Sequence, residues 1–190
     1  MLFDRGQHRS WASDARLAAA IALALAVTPR ASGTTAVLPV SATVNANCAI
    51  SASAVSFGSY ESLLANATTT LNAAGSVSIA CTRGTVPKIT MDLGRNPNGG
   101  RRYMALATGS SAGTADALYY ELYQPPNSTP GTACSFPGTT AWGASASQAF
   151  TPSPTTNRSS RSFSVCGTIP AGQFVTMGSY ADTVVATVNF

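Results

Sequence analysis

The sequence predicts an all-β sandwich, and three observations support this fold class. Short segments in which apolar and polar residues alternate recur after residue 35, which is the two-residue period of strands with one buried face. Clusters rich in Gly, Pro and Asn separate these segments, as at 96–100, 125–127 and 170–172. Helical periodicity is nearly absent from the same region. Many short strands divided in this way are typical of a β-sandwich.

Residues 1–33 are predicted to be a secretory signal peptide. Arg5, Arg9 and Arg16 precede an uncharged apolar run at 17–27, and small residues follow it. The run is shorter than the ~20 residues that a membrane-spanning helix needs. Cleavage after Ala26 and cleavage after Gly33 both fit the small-residue pattern. We therefore expect a secreted protein with no integral membrane span after processing.

Residues 34–47 are predicted to be an N-terminal extension that precedes a sandwich domain at 48–190. Apolar side chains recur at every second position of the extension, which places them on one face of a strand. Pro39 lies inside this pattern and has no backbone N–H to donate, so the register around it stays open. The apolar positions are Leu38, Val40, Ala42 and Val44.

Further period-two segments predict the strands of the domain. Residues 124–160 interrupt them and are poor in apolar residues, so we expect long surface loops around one short strand there. The predicted strands cover 76–81, 88–93, 102–107, 118–122, 163–165 and 174–177.

The last predicted strand, 180–190, is rich in Val and Thr. We expect it to have no downstream hairpin partner. Such a strand is expected either to lie inside a sheet or to form an edge that takes up strands from other chains. One face carries Val184, Ala186, Val188 and Phe190.

The four cysteines, Cys48, Cys81, Cys134 and Cys166, all follow the predicted signal peptide. An even number of cysteines in an exported chain predicts disulfides, for which three connectivities are possible. We favour Cys48 with Cys81 and Cys134 with Cys166, because each bond then joins segments that could lie side by side. A metal site is not expected, since the chain has no Cys-x-x-Cys motif and its one histidine, His8, lies in the signal segment.

Composition gives no support for catalysis or for a nucleic-acid partner. From residue 34 onward, seven basic and five acidic residues give a net charge of +2. The loop Gly109-Ser-Ser-Ala-Gly113 has the spacing of a hydrolase nucleophile turn, but no histidine follows the signal segment to accept the serine proton. Arg95, Arg101 and Arg102 surround a turn and are interpreted as a solvated hairpin tip. We expect neither an enzyme nor a cofactor.

Tyr119 and Tyr123 form a possible surface-binding pair. Alternation places them on one face of a strand with Glu121, whereas Tyr120 faces inward with its apolar neighbours. Core and cross-strand packing is the plainer interpretation of this aromatic cluster, and carbohydrate stacking is the alternative.

Several motifs together resemble the spore coat protein U domain family, which includes the subunits of archaic chaperone-usher pili. The resemblance spans nearly all of the chain after the signal segment. It is carried by Phe57-Gly-x-Tyr60, Trp142-Gly143, Gly167-x-Ile-Pro-x-Gly-Gln173 and Gly178-x-Tyr-x-Asp-Thr-Val184, followed by Thr187-Val-x-Phe190. Cys134 and Cys166 are additional to the pattern of the simpler pilins.

The resemblance implies an incomplete immunoglobulin-like β-sandwich that is completed by a donor strand. In such pilins a periplasmic chaperone first lends the missing strand. At the outer-membrane usher, the N-terminal extension of the next subunit replaces it. By this resemblance Leu38, Val40, Ala42 and Val44 are donor residues, and Val184, Ala186, Val188 and Phe190 form the acceptor edge strand.

The leading hypothesis is therefore a non-enzymatic structural subunit that passes through the periplasm to the cell surface, as part of a pilus or coat. Its partners are other copies or related subunits, a chaperone and an usher. The second hypothesis is a secreted carbohydrate- or surface-binding module that completes its own sandwich with its N-terminal strand. The adhesion target and the setting, biofilm or spore, stay open.

Overall fold

The computed structural model describes residues 32–107 and 116–190. The predicted signal peptide, except for its last two residues, lies outside the described residues, as does the Gly109–Gly113 loop. The chain divides into two units, 1–41 and 42–190. The described strands and helices all belong to the second unit.

The second unit is built from eight antiparallel strands in two sheets, which confirms the all-β prediction. The larger sheet has six strands in the order β1-β2-β6-β5-β4-β7, and β3 and β8 form the smaller one. A short helix α1, Ala65–Thr68, and a 3-10 turn, Ala146–Gln148, are the helical elements in the described part of the chain. The strands are β1 Cys48–Ser53, β2 Leu71–Cys81, β3 Lys88–Met91, β4 Arg102–Leu106, β5 Ala117–Tyr123, β6 Arg161–Ile169, β7 Tyr180–Ala181 and β8 Ala186–Asn189.

The hydrophobic core lies between the two sheets. Alternate residues of the large sheet point into it, and Ile89 and Met91 meet them from β3. In β5 the buried and half-buried positions alternate, so Tyr120 faces inward while Tyr119 and Tyr123 face outward, as predicted. The core positions of the large sheet are Val77, Ile79, Leu118, Tyr120, Leu122, Phe163, Val165 and Ile169.

Residues 32–47 form no strand, and β1 begins at Cys48. The alternating pattern of the extension therefore does not make a strand in the single chain. An isolated strand has no ladder hydrogen bonds to offset the entropy of ordering its backbone. The apolar face of the extension is therefore not used for strand pairing within the described chain.

The strand predicted at 174–177 is wrong. Phe174 and Met177 are exposed, and the segment lies between Gly172 and Gly178, whose φ angles are 76° and 151°. The terminal strand is also broken. Its first part, β7, pairs with β4 of the large sheet, while β8 pairs with β3 of the small one, so the chain crosses between sheets at 182–185.

Residues 124–160 form no strand, but they close one side of the core. Trp142 is fully buried and its Nε1 donates to the Ile89 carbonyl at 2.9 Å. Phe150 is buried and pairs with Ile89 through an isolated bridge. The predicted long loops are confirmed by the irregular, mostly exposed backbone, but the predicted short strand is wrong, because the segment forms only isolated bridges, at Ala141 and Phe150.

The interpretation of Arg102 as part of a solvated hairpin tip is wrong. Its side chain is only 2% exposed, and it pairs with the Glu121 carboxylate. Its Nη2 also donates to the carbonyl oxygens of Asp92, at 2.7 Å, and Trp142, at 2.6 Å. Several acceptors together make the burial of a guanidinium tolerable. Arg95 and Arg101 are exposed, as predicted.

Two disulfides are present, and they are the favoured pairs. Cys48–Cys81 joins β1 to β2, with Cα atoms 4.1 Å apart. Cys134–Cys166 joins the long loop to β6, with Cα atoms 5.5 Å apart. One bond therefore fixes the first strand of the sandwich, and the other fixes a loop.

Candidate functional site

β1 and β8 each have an edge with which no other described strand pairs. Among the described residues, β1 pairs only with β2 and β8 pairs only with β3. The outer edges of both strands thus present backbone N–H and C=O groups that no strand ladder satisfies. Two such edges on one molecule are a template for strand addition.

A groove of about 1210 Å³ lies between the segment that follows β1 and the segment that precedes β8. This volume exceeds the ~300–1,000 Å³ that is usual for small-molecule pockets. Its rims are residues 52–64 on one side and 174–184 on the other. The floor is formed by core side chains, namely Met91, Met104, Leu118, Tyr120, Leu122, Val165 and Ile169.

The predicted acceptor residues lie partly in this groove. Val184 and Ala186 line it, and Val188 packs against the core beside them. Phe190 is 57% exposed. The four residues therefore follow the predicted face, but only the first two contribute to the groove. Their role as an acceptor edge stays a prediction.

The predicted donor residues are all exposed. Leu38 is 83% exposed, Val40 88% and Val44 81%, and Ala42 is exposed with them. Apolar side chains that are this exposed in an alternating series are typical of a surface that another molecule covers. Their role as donors also stays a prediction.

One rim is held by Tyr60 and Gln173, which sequence reasoning did not single out as structural residues. The Tyr60 hydroxyl donates to the Pro170 carbonyl at 2.9 Å and accepts from the Gln173 N–H at 3.0 Å. The Gln173 side chain accepts from the Tyr119 N–H at 2.8 Å and donates to the Tyr119 carbonyl at 2.9 Å. It thereby replaces a strand neighbour at the end of β5. Tyr60 and Gln173 belong to the Phe-Gly-x-Tyr and Gly-Gln motifs, but the motifs alone do not show these hydrogen bonds.

The other rim is held by two carboxylates. Asp182 accepts from the Tyr120 hydroxyl at 2.6 Å and from the Arg95 N–H at 2.9 Å. Asp92 accepts from the N–H groups of Gly94 and Val185, both at 2.9 Å. These bonds replace ladder hydrogen bonds at the crossing between sheets. Burial, followed by the hydrogen bond to Asp182, raises the pKa of Tyr120.

Gly94 is required beside this carboxylate. It has a φ of 79°, and a Cβ atom at this position would lie 1.9 Å from Asp182 Oδ2. Any larger residue would displace the carboxylate from its partners.

Tyr119 and Tyr123 do not form one flat binding platform. The Tyr119 ring is 5.6 Å from that of Tyr103 and tilted by 53°, and the Arg101 guanidinium lies 5.2 Å from its centroid. Gly138 packs against the Tyr123 ring. Burial raises the pKa of both Tyr119 and Tyr123. Their role in surface binding stays a prediction.

Within residues 32–107 and 116–190, no three His, Cys, Asp or Glu side chains are grouped closely enough to hold a metal ion. The same described ranges contain no helix of the length and apolar character needed to cross a membrane.

Solved structures similar to this chain include the following two. One is a chain of the CsuC–CsuE chaperone–tip adhesion subunit pre-assembly complex from archaic chaperone-usher Csu pili of Acinetobacter baumannii, with 21% identity and a TM-score of 0.52. The match covers 78% of this chain but 41% of that one, so the present chain spans about two fifths of its length. The likeness shows a shared immunoglobulin-like fold. The other is the Escherichia coli Hda pilus minor tip subunit HdaB, with 13% identity, coverage of 75% and 79%, and a TM-score of 0.33.

Sequence comparison gives the family directly. No curated protein matches the chain significantly. The family model described as the Spore Coat Protein U domain matches residues 34–187, which includes both the extension and the sandwich. The chain therefore belongs to the Spore Coat Protein U domain family.

Proposed function

We propose that this protein is a structural subunit of a chaperone-usher pilus or surface coat, and that it polymerises by donor-strand exchange. The observation that carries the proposal is this groove, which has an apolar floor and lies beside the unpaired edges of β1 and β8. The occupant is the extension 34–44 of a second copy. It is uncharged and alternating, as a strand in this groove must be.

The energetics favour this occupant. In the groove the extension would exchange backbone hydrogen bonds with both edges, and its even-numbered side chains would point at the floor. Burying Leu38, Val40 and Val44 contributes about 1.5–3 kcal/mol each at most. Pro39 has no N–H, so one edge of the bound strand would lack one hydrogen-bond donor, while the apolar face stays intact. The bound strand would thus complete the sandwich.

The proposed partners follow from the same groove. Before assembly it exposes apolar floor and unpaired backbone, which is a liability in solution. A periplasmic chaperone that lends a strand would cover it, and an usher would hand the subunit to the next one. The similar Csu structure is itself a chaperone–subunit complex, which supports this partner. The protein would be exported to the periplasm and then displayed at the cell surface. Its role there would need neither catalysis nor a cofactor.

The test deletes residues 34–44 from the mature chain and mixes the variant with the wild-type protein. The variant keeps its groove but has no donor strand, so it should accept one strand and stop growth. Polymer length, measured by size-exclusion chromatography and electron microscopy, should fall as the variant fraction rises. Normal polymers of the variant alone would contradict the proposal.

A matched pair of substitutions refines this test. Val40→Ser changes the face predicted to enter the groove, whereas Val37→Ser changes a neighbouring exposed valine on the other face. Val40→Ser should slow polymerisation by about tenfold or more, from the loss of roughly 1.5 kcal/mol of apolar burial. Val37→Ser should have little effect.

The second candidate is a self-completed binding module, favoured by the outward cluster of Tyr103, Tyr119 and Arg101. It predicts a stable monomer of the mature chain that loses glycan binding when Tyr119 becomes Ala. A mature chain that polymerises without such binding would exclude it.

A further inference from the structure

Three arginines belong to stretches of the domain that contain no acid. Arg83 follows β2, Arg158 lies in the loop before β6, and Arg161 begins β6. The stretches 62–91 and 122–181, which contain them, have no Asp or Glu. Among the described residues, none of the three forms an ion pair. We call these three residues the arginine surface.

Hydrogen bonds bring two of these arginines to the same loop. Arg161 donates through Nη1 to the Ser153 carbonyl at 2.7 Å and through Nη2 to Thr155 Oγ1 at 2.8 Å. Arg83 donates through Nε to the Thr156 carbonyl at 2.7 Å. Thr155 and Thr156 are neighbours, with Cα atoms about 3.8 Å apart. Two guanidinium groups are therefore held on adjacent residues of one loop.

The loop that holds them is fixed to the domain. The Gly84 N–H donates to the Thr155 carbonyl at 2.8 Å, and the Thr155 N–H donates to the Thr85 carbonyl at 3.1 Å. Thr155 and Pro152 are both buried. The positions of the two guanidinium groups are thus set before any ligand arrives, which lowers the entropy cost of binding one.

Most donors of the exposed arginines have no acceptor in the described part of the chain. Arg83 and Arg158 are exposed, and the described hydrogen bond of Arg83 uses only its Nε. Arg158 lies in a turn in which the Ser159 N–H donates to Asn157 Oδ1 at 2.9 Å. A guanidinium has five N–H donors. An anion could therefore bind to Arg83 and Arg158 without displacing a described hydrogen bond.

The charges of the arginine surface favour an anionic ligand. Like charges held near each other with no described acidic partner repel, and a bound anion would relieve that repulsion. Together they also raise the local positive potential, which concentrates anions. The planar fork of a guanidinium matches a carboxylate or a phosphate and can bind it through two parallel hydrogen bonds.

The surroundings favour an acidic sugar polymer over a nucleic acid. Hydroxyl groups can both donate to and accept from sugar hydroxyls. Residues 82–86 and 151–160 include no aromatic side chain on which a base could stack. Three cations are also few beside the roughly 6–10 phosphate contacts of duplex-binding proteins. The exposed hydroxyl residues of the loop are Thr151, Ser153, Thr156, Ser159 and Ser160.

We propose that the arginine surface binds the carboxylate groups of an acidic polysaccharide, such as a polymer of uronic acid residues. Arg83 and Arg158 pair with carboxylates, Arg161 fixes the loop beneath them, and the neighbouring hydroxyl groups bind the sugar. None of these three arginines lines the groove. The site is therefore separate from the one used for strand exchange.

Repetition of the surface would strengthen binding. A single exposed ion pair contributes little, and salt screens it. A long polyanion that contacts several copies in one polymer binds more tightly, because each contact after the first is intramolecular. This gain rests on the polymer proposed above, whereas the binding of one copy does not.

The test measures binding of the full mature chain to immobilised polygalacturonate, at about 0.1 M and about 1 M salt. Arg83→Gln with Arg158→Gln should weaken binding about tenfold or more at low salt, and the difference should shrink at high salt. Arg95→Gln with Arg101→Gln is the matched control, because it removes the same charge from two other exposed arginines. Its binding should stay within about twofold of wild type.

A charge-conserving pair separates loss of charge from a structural defect. Arg83→Lys with Arg158→Lys also loses the hydrogen bond from Arg83 Nε to Thr156 but keeps both positive charges. It should retain most of the binding. If it binds as weakly as the glutamine pair, the arginine surface is refuted as a binding site.

The remaining outcomes distinguish ligands and proposals. Equal losses in the Arg83/Arg158 and Arg95/Arg101 glutamine pairs would overturn the assignment, because net charge alone would then explain binding. Tighter binding of duplex DNA than of polygalacturonate would overturn the choice of a polysaccharide. Normal polygalacturonate binding by the Arg83/Arg158 glutamine pair would refute the arginine surface and leave donor-strand exchange standing. Unaltered polymers after deletion of 34–44 would refute the proposed function, while selective loss of binding in that pair would still support the surface.

Discussion

Around the groove, hydrogen bonds from individual side chains replace the backbone hydrogen bonds that a strand ladder would make. Asp92 and Asp182 hold the crossing from β7 to β8, and Gln173 pairs with the backbone of Tyr119. Each bond joins residues far apart in sequence, so alternation patterns could not reveal it. The same holds for Arg102, because a strand pattern can place an arginine inward but cannot show which carbonyl groups accept its hydrogen bonds.

Arg102→Met should destabilise the fold by about 3–5 kcal/mol. The change leaves Glu121 without its buried cation and removes donors from the Asp92 and Trp142 carbonyls. Arg101→Met is the control, because Arg101 is exposed and the described contact of its side chain is with the Tyr119 ring. It should cost less than about 1 kcal/mol. Urea unfolding of both variants checks the difference, and equal losses would contradict it.

Tyr120 should make the fold sensitive to alkaline pH. Its folded-state pKa is raised above 10.0, so the folded protein retains a proton that the unfolded chain loses. The resulting stability is complete below pH 10.0 and declines as pH rises above it, by up to about 1.4 kcal/mol per pH unit. The free energy of unfolding, measured from pH 8 to about 11, should fall less steeply for Tyr120→Phe. An unchanged slope would contradict the assignment.

Elements follow the sequence pattern where a neighbouring strand exists to use it. β2, β5 and β6 alternate, pair on both sides and overlap their predicted positions, although β2 and β6 are longer than predicted. The segments 34–47 and 174–177 alternate too, yet they form no strand, because alternation supplies an apolar face without supplying a partner. At 124–160 the sequence pattern misses buried residues, since Trp142 and Phe150 are buried although no alternation surrounds them.

The two disulfides provide a matched comparison at this scale. Their sequence separations are 33 and 32, so chain entropy predicts similar contributions of about 3.5–4 kcal/mol each. Only Cys48–Cys81 fixes β1, an edge of the groove. Replacing both of its cysteines by Ser should reduce stability and slow polymerisation, whereas replacing Cys134 and Cys166 should reduce stability alone. Thermal unfolding and polymerisation rates check this, and equal effects on assembly would contradict it.

At the scale of the whole molecule, an exposed alternating extension and an open apolar groove occur in one chain. The sequence predicted both halves of this arrangement, through the even-numbered apolar residues of 34–44 and the face of Val184 and Ala186. It could not locate the groove floor, because that surface comes from four separate strands brought together only by folding.

The most direct test of donor-strand exchange gives the chain its own donor strand. Residues 34–44 are appended after Phe190 through a short turn, and the original extension is deleted. Because β8 ends at Asn189, a tight turn lets the added strand enter the groove antiparallel to β8. We predict a monomer that is more stable than the deletion variant and neither donates nor accepts strands. A chain that still polymerises, or gains no stability over the deletion variant, would contradict donor-strand completion of this groove.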